Sequence, residues 1–424
     1  MRVRRWLAGI AAAMLVTGAL GACGGDDDDA TADTNGSETT AAQEGEGGLP
    51  NGVGITDDEI RVGFHGPLTG PVSWVGLGAR DGLELAFAEI NADGGVNGRN
   101  LVLDVKDDEG SPATAGSIVR EYVQGGDTVI VVSAGLSVPT VGGVVAARET
   151  GIPYFNLTAG DPKAHEPFAE NVFHGMALQA PWTGRASVTY LVEKYDASRV
   201  GYMHSEDGFN TAMLDGVREG AEEIGDVEVV GVTTWKPGDT DFTAQALRMA
   251  EADPDVVMVA TLLPEAAPVV KALRAAGVTA PLLISNGGTG ESMLELSDDE
   301  LGDGVLGTWF FSDYFSAESG PVADFMAAWT EEYGSGMEGR PNYVDVNGYV
   351  DGYTLAEAFG NMTEATPEAL IAALEGISDF NPTGISARSY SSTKHFGGTG
   401  LNVLEVVDGS WKSTGDTLDL SFLE

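Results

Sequence analysis

The chain has 424 residues, with 65 acidic side chains against 22 basic ones, and a formal net charge of −43. Nucleic acids and anionic phospholipids attract basic surfaces, so this charge argues against both as partners. The length exceeds what one hydrophobic core usually holds and favours two domains, and the single cysteine excludes an intramolecular disulfide.

The N-terminus has the pattern of a targeting signal. Three arginines precede an apolar run over residues 6–20, which is too short for a comfortable membrane span. The run closes with the letters LGAC, ending at Cys23, and this resembles the cleavage box of bacterial lipoproteins. We therefore predict a signal peptide over residues 1–22 and a lipid-anchored, extracytoplasmic protein that begins at Cys23. The alternative is an ordinary secretory signal with an incidental cysteine.

Residues 23–55 predict a disordered acidic tether. They are poor in large apolar side chains and rich in Gly, Ser, Thr and acids. The run Asp26–Asp29 is more typical of a solvated spacer than of a metal site, and we expect no metal.

The first folded elements form a β-α-β unit. Ile60–Phe64 alternates as a strand does, and residues 66–71 break the chain into a loop. An amphipathic helix follows from Trp74, and Leu101–Val105 predicts the second strand. In open α/β sheets, ligands bind at the carboxyl ends of strands, so the loop after the first strand belongs to a candidate ligand site.

The alternation of strand, loop and helix continues along the chain and begins again after a short strand around Phe173. This pattern predicts two doubly wound lobes. Further strands are predicted at residues 128–132, 152–155, 172–174, 199–203, 227–233, 256–260 and 281–284. Further helices are predicted at residues 112–123, 139–150, 179–193, 211–223, 266–276, 321–333 and 343–360, with another from Thr366, and short strands from Ala387.

A family resemblance rests on residues 66–110, which read GPLTGPVSWVGLGARDGLELAFAEINADGGVNGRNLVLDVKDDEG. This run closely resembles the opening of the branched-chain amino-acid (leucine/isoleucine/valine) binding proteins, which are type I solute-binding proteins of ABC importers. The resemblance is dense from about Ile60 to Ser285 and weaker to about Phe359. It implies an α/β fold of two doubly wound, Rossmann-like lobes joined by a three-segment hinge.

The resemblance also implies where the chain changes lobe. The crossings would fall near Phe173, Trp309 and Asn381. We therefore predict lobe I over residues 56–176 and 308–380, and lobe II over residues 177–307 and 381–424. Residues 304–311 are expected to lie with the first lobe.

Ligand contacts from the first lobe can be carried over residue by residue. Ser137 matches the serine that binds the ligand carboxylate through its hydroxyl and backbone donors; the alternative is an N-cap for the helix at residues 139–150. Thr158 matches the position whose backbone carbonyl holds the ligand ammonium. Gly160 stands where the family usually has a hydroxyl residue, so only a backbone contact survives there.

Aromatic side chains would form the rest of the site. Phe209 matches an aromatic residue of the second lobe that covers the ligand, and Tyr349 matches another on the returning helix. Both could equally belong to the core. Trp74 stands beside the aligned aromatic position, which is Val75 here, and the sequence leaves its direction open.

The sharpest departure from the family is Asn286. The family has a glutamate there that pairs with the ammonium of an amino acid, and a neutral side chain would leave that cation without its counter-charge. We therefore predict a carboxylate or amide ligand without a free α-ammonium, unless Glu206, Asp207 or Asp345 substitutes for the glutamate.

Catalytic motifs are absent from the sequence. There is no Gly-x-Ser-x-Gly, His-Glu-x-x-His or phosphate-binding Gly-x-x-x-x-Gly-Lys run. The glycines at positions 76, 78 and 82 lie too far beyond the strand to hold a pyrophosphate, and we interpret them as helix packing. We expect a monomer that is not an enzyme and has no cofactor, and that delivers a small ligand to an ABC permease and its ATPase. The alternative is a lipoprotein that senses its ligand for signalling.

Overall fold

The computed structural model describes residues 49–419, with gaps at residues 177–178, 297, 303, 312–313, 316, 335–340 and 399. The predicted signal peptide, the lipid-anchored Cys23 and most of the predicted tether lie outside the described residues. Within the described part, no helix has the length and apolar character needed to cross a membrane.

The first sheet has the strand order β2-β1-β3-β4-β5, and all its neighbouring strands are parallel. Strands β1, β3, β4 and β5 are largely buried, which is typical of a sheet covered by helices on both faces. The strands are β1 (Glu59–Gly66), β2 (Asn100–Asp107), β3 (Ile130–Ser133), β4 (Tyr154–Asn156) and β5 (Val172–His174).

The second sheet has the order β12-β11-β10-β9-β8-β6-β7. The pairings among β6 to β10 are parallel, and β11 and β12 add an antiparallel edge. The strands are β6 (Arg199–Ser205), β7 (Glu228–Trp235), β8 (Val256–Ala260), β9 (Leu282–Ile284), β10 (Val305–Trp309), β11 (Gly400–Val407) and β12 (Ser410–Asp419). Two parallel-rich α/β sheets confirm the predicted fold class.

Helices connect the strands, and several begin where a capping side chain stands. Ser111 accepts a hydrogen bond from the Thr114 amide ahead of Pro112, which confirms the predicted helix start. The helices are α1 (Ser73–Ala92), α2 (Pro112–Gly125), α3 (Ser137–Thr150), α4 (Pro162–His165), α5 (Ala180–Tyr195), α6 (Gly208–Ile224), α7 (Thr243–Ala252), α8 (Leu263–Ala275), α9 (Asp298–Leu301), α10 (Pro321–Tyr333), α11 (Tyr343–Asn361) and α12 (Pro367–Glu375).

The returning helix α11 packs against α1 and so belongs with the first sheet. A methyl group at Gly82 would overlap the backbone of Asp345, and one at Gly348 would overlap the backbone of Ala79. Glycine is needed on both helices because their backbones approach so closely. The interpretation of Gly82 as a packing residue rather than a dinucleotide fingerprint is confirmed.

Three expectations about chain boundaries are wrong. Strand β10 lies in the second sheet between β9 and β11, whereas residues 304–311 were expected with the first lobe. The third crossing is not at Asn381, because Phe396 still pairs with His174 of β5 and the chain joins the second sheet only at Gly400. The tether ends before residue 49 rather than at residue 55, because Leu49 and Ile55 are buried in the core.

Candidate functional site

A small cavity of about 40 Å³, partly open to solvent, lies between the two lobes. Its walls come mainly from loops at the carboxyl ends of β3, β4, β6, β8 and β9, where ligands bind in such sheets. The lining residues are Val75, Gly135, Leu136, Ser137, Thr158, Asp207, Phe209, Asn210, Thr261, Leu262, Asn286, Gly287 and Tyr343. Four of the predicted site residues, Ser137, Thr158, Phe209 and Asn286, therefore lie together.

Ser137 is the first residue of α3 and is almost fully buried. The cap position belongs to Leu136, and no side chain in the described part of the chain caps this helix, so the alternative role of Ser137 as an N-cap is wrong. The hydroxyl of Ser137 has no hydrogen-bond partner among the described residues. An uncapped helix N-terminus and a free hydroxyl together suit a carboxylate, because the helix dipole and the first amides favour negative charge.

The loop that carries Thr158 is fixed by two polar side chains. The Thr158 hydroxyl donates to the carbonyl of Gly135 and accepts from its amide, both at 2.9 Å. The Asn156 Oδ1 accepts from the amides of Thr158 and Ala159 at 3.2 and 3.0 Å. Asn156 therefore sets the loop conformation. Sequence reasoning missed this positioning role, although an asparagine after a strand is a known turn signal.

Gly160 lies outside the cavity lining. Its carbonyl oxygen accepts a hydrogen bond of 3.0 Å from the amide of Ala180, the first residue of α5. The Gly160 carbonyl is thus occupied by a hydrogen bond to the start of α5 in the second lobe, and it is not free for a ligand.

The aromatic wall differs from the expectation. Phe209 lines the cavity, but Tyr349 does not, because its hydroxyl donates to Glu89 Oε2 at 2.7 Å within the α1–α11 interface. The place on α11 is taken by Tyr343. The Trp74 ring packs edge-on against the Tyr343 ring, with 6.3 Å between the centroids. Val75, and not Trp74, lines the cavity.

Asn286 follows β9 and is 3% exposed. Its Oδ1 has no hydrogen-bond partner among the described residues. A buried polar atom without a partner costs about 1–3 kcal/mol, so a ligand that bonded this amide would recover that cost.

Among the three acids considered as substitutes, Asp207 lines the cavity. Its Oδ1 accepts from the amide of Asn210 at 2.9 Å, and its Oδ2 accepts from the Asn210 side chain and from Ser205. Burial raises the pKa of the Asp207 carboxyl, and these hydrogen bonds oppose the rise. Glu206 accepts instead from Thr234, and Asp345 forms the capping box of α11.

The described lining contains no Lys, Arg or His side chain, and no group of three potential metal ligands occurs in the described part of the chain. The cavity thus combines neutral donors, one hydrogen-bonded acid and apolar walls. Such a lining can bind a small polar molecule and offers no cation to neutralise it.

The two lobes touch at one side of the cavity. A Cβ atom placed on Gly208 of α6 would lie 2.7 Å from Asp161 Oδ2 and 3.2 Å from the Ser137 Cβ. Gly208 belongs to the second lobe, and the other two residues belong to the first. The two lobes are therefore in contact at this side of the cavity.

Comparison with known sequences identifies relatives. The profile of the family described as periplasmic binding protein matches residues 59–410. The Leu/Ile/Val-binding protein BraC3 of Rhizobium johnstonii is 27% identical over 272 residues, which cover 64% of this chain and 72% of that protein. Two further curated relatives are matched over 61% and 63% of their own length.

Solved structures share the fold. The type 1 periplasmic binding protein of Bordetella pertussis Tohama I has a TM-score of 0.69 and 27% identity, over 84% of this chain and 99% of that one. LivJ of Streptococcus pneumoniae, in complex with isoleucine, has a TM-score of 0.68 and 22% identity over 84% and 99%. A solute-binding protein of Rhodopseudomonas palustris in complex with benzoate has a TM-score of 0.71 and 20% identity over 85% and 96%.

The last two likenesses show the fold alone, whereas the family profile covers most of the chain. Together with the Leu/Ile/Val-binding relatives, it confirms the resemblance found in residues 66–110. The chain therefore belongs to the periplasmic binding protein family.

Proposed function

We propose that this chain is an extracytoplasmic solute-binding lipoprotein of an ABC importer, which closes its two lobes on a small polar ligand. Family membership implies a location outside the cytoplasm. One observation carries the binding role: Ser137 and Asn286, whose hydroxyl and amide oxygen have no hydrogen-bond partner among the described residues, line one cavity from opposite lobes. A ligand that bonds both stabilises the closed arrangement over an open one.

The ligand we propose is a small carboxylate or amide without an α-ammonium group. Ser137 and the uncapped N-terminus of α3 supply donors for a carboxylate. The neutral Asn286 supplies no counter-charge for a cation, and the Asp207 oxygens already accept hydrogen bonds from their own lobe. The structural neighbours bind both kinds of molecule, since one holds isoleucine and another holds benzoate.

Isothermal titration with leucine and with 4-methylpentanoate, its analogue without the amino group, tests this ligand chemistry. We expect the analogue to bind more tightly. The variant Asn286→Glu restores a buried anion, so it should reverse the order in favour of leucine. Tight binding of leucine to the unaltered protein, with no binding of the analogue, would refute the proposal and indicate Asp207 as the partner of the ammonium.

The transport role needs its own experiment. A permease and ATPase pair encoded beside this chain should be reconstituted in proteoliposomes with the acylated protein. We expect ligand-loaded protein to stimulate ATP hydrolysis more than ligand-free protein does. A neighbouring histidine kinase in place of the transporter genes, with kinase activity that responds to ligand, would instead support a sensing role.

A further inference from the structure

Tyr343 presents an unusual polar group to the cavity. Its side chain lines the cavity and is 7% exposed. Its hydroxyl has no hydrogen-bond partner among the described residues. The ring packs against Trp74, Trp309 and Phe310, with centroids 6.3, 5.4 and 5.5 Å away, and these contacts fix its position.

The surroundings of this hydroxyl keep it protonated. Burial raises the pKa of Tyr343, and the carboxylate of Asp207 in the opposite lobe raises it further. Because the phenol keeps its proton at every physiological pH, it is available as a hydrogen-bond donor to a ligand.

Within the described part of the chain, two polar side chains that line one cavity thus lack a protein partner, Tyr343 from α11 and Asn286 after β9. An apolar side chain on the ligand would leave both unsatisfied, at about 1–3 kcal/mol each. Sites built around a hydrogen bond reject analogues that lack the bonding group more strongly than apolar pockets reject a change of size.

We propose that Tyr343 is a specificity-determining residue. With Asn286 it selects ligands that carry, besides the carboxylate, a second hydrogen-bonding group such as a carboxamide, and it disfavours branched aliphatic side chains. This inference rests on the proposed solute-binding function and names the class of solute.

Two pairs of nearly isosteric compounds test the inference by isothermal titration of the whole protein. Asparagine and leucine differ at the far end and share the ammonium group; succinamate and 4-methylpentanoate differ in the same way and lack it. We expect the polar member to bind at least about tenfold more tightly in whichever pair binds. Each comparison is made within a pair, so it does not depend on the ammonium question.

The variant Tyr343→Phe should reduce that preference by about tenfold, because it removes the hydroxyl and leaves the packed ring in place. Tyr353→Phe is the matched control. It removes a hydroxyl from the same helix, one that bonds Glu89 at 2.6 Å, and should leave the preference unchanged. A merely structural role for Tyr343 would change thermal stability without changing the ratio of the two affinities.

Three results would overturn the inference. They are equal or tighter binding of leucine and 4-methylpentanoate, an unchanged ratio in Tyr343→Phe, and no binding of either asparagine or succinamate. The first two leave solute binding intact. The proposed function itself fails only if a broad panel of amino acids, amides and small carboxylates produces no stoichiometric binding.

Discussion

Closure of the lobes depends on a glycine at their contact. Gly208 begins α6 in the second lobe, and an added Cβ would lie 2.7 Å from Asp161 Oδ2 and 3.2 Å from the Ser137 Cβ. Asp161 cannot simply move aside, because its Oδ1 accepts the amide of Lys163 at 2.9 Å. Gly208→Ala should therefore hinder the closed state and not the fold of either lobe.

The magnitude follows from the cost of overpacking. Inserting a methyl group into a filled contact costs about 1–3 kcal/mol. If all of that cost falls on the closed state, ligand affinity drops by about 5- to 150-fold. The free protein should keep its thermal stability or gain slightly, since alanine favours a helix over glycine.

Titration with the best-binding compound, thermal unfolding and small-angle scattering together check this prediction. The unaltered protein should show a smaller radius of gyration when ligand saturates it, and Gly208→Ala should show less compaction. Gly360→Ala is the control, because its Cβ would meet only Val96 Cγ1 at 3.9 Å on an exposed part of α11. Undiminished affinity and full compaction in Gly208→Ala would refute the reasoning.

Three further predictions concern the buried ion pair, His165 and the N-terminus. Among the described residues, Arg388 is the only cation bonded to the fully buried Asp351, with its Nε 2.7 Å from Oδ1. Arg388→Met should therefore lower the free energy of unfolding in urea by about 3–5 kcal/mol at pH 7. Adding Asp351→Asn to Arg388→Met should recover part of that loss. If the double variant instead loses the sum of the unfolding free energies that the two single variants lose, the pairing is contradicted. Burial, helped by Arg148, lowers the pKa of His165 to about 4 from 6.5, so the unfolded chain binds the proton first as pH falls. Stability should thus decrease between pH 6.5 and 4, by about 3 kcal/mol at most, and His165→Gln should flatten this slope if the argument is right. Mass spectrometry of the native N-terminus should find a diacylated Cys23, and a free thiol or another cleavage point would rule out the anchor.

Much of the fold could be predicted because its signals are local. Residues close together in sequence determine the buried strands, the Ser111 cap and the helix starts at proline. Ser137, Thr158 and Asn286 could be grouped because each follows a parallel strand, and the carboxyl ends of such strands meet at one edge of a sheet.

The errors about the third crossing and about Tyr349 have two causes. One is contacts between residues far apart in sequence, and the other is which face of α11 points to the cavity. Nothing local shows that Arg388 pairs with Asp351 and that Phe396 pairs with His174, which keeps this segment beside the first lobe until Gly400.

The helix error concerns Tyr349 and Tyr343. They are six residues apart on α11, which places them about 240° apart around the helix. Only the packing of that helix on α1 decides which of the two tyrosines faces the cavity.

A crystal structure of the protein with the carboxylate that stabilises it most would test ligand binding between the lobes most directly. We predict that the ligand carboxylate lies within hydrogen-bond distance of the Ser137 hydroxyl at the N-terminus of α3, and that the Asn286 amide bonds the ligand from the second lobe. A ligand bound outside this cavity, or one whose carboxylate faces Asn286 with Ser137 left free, would contradict it.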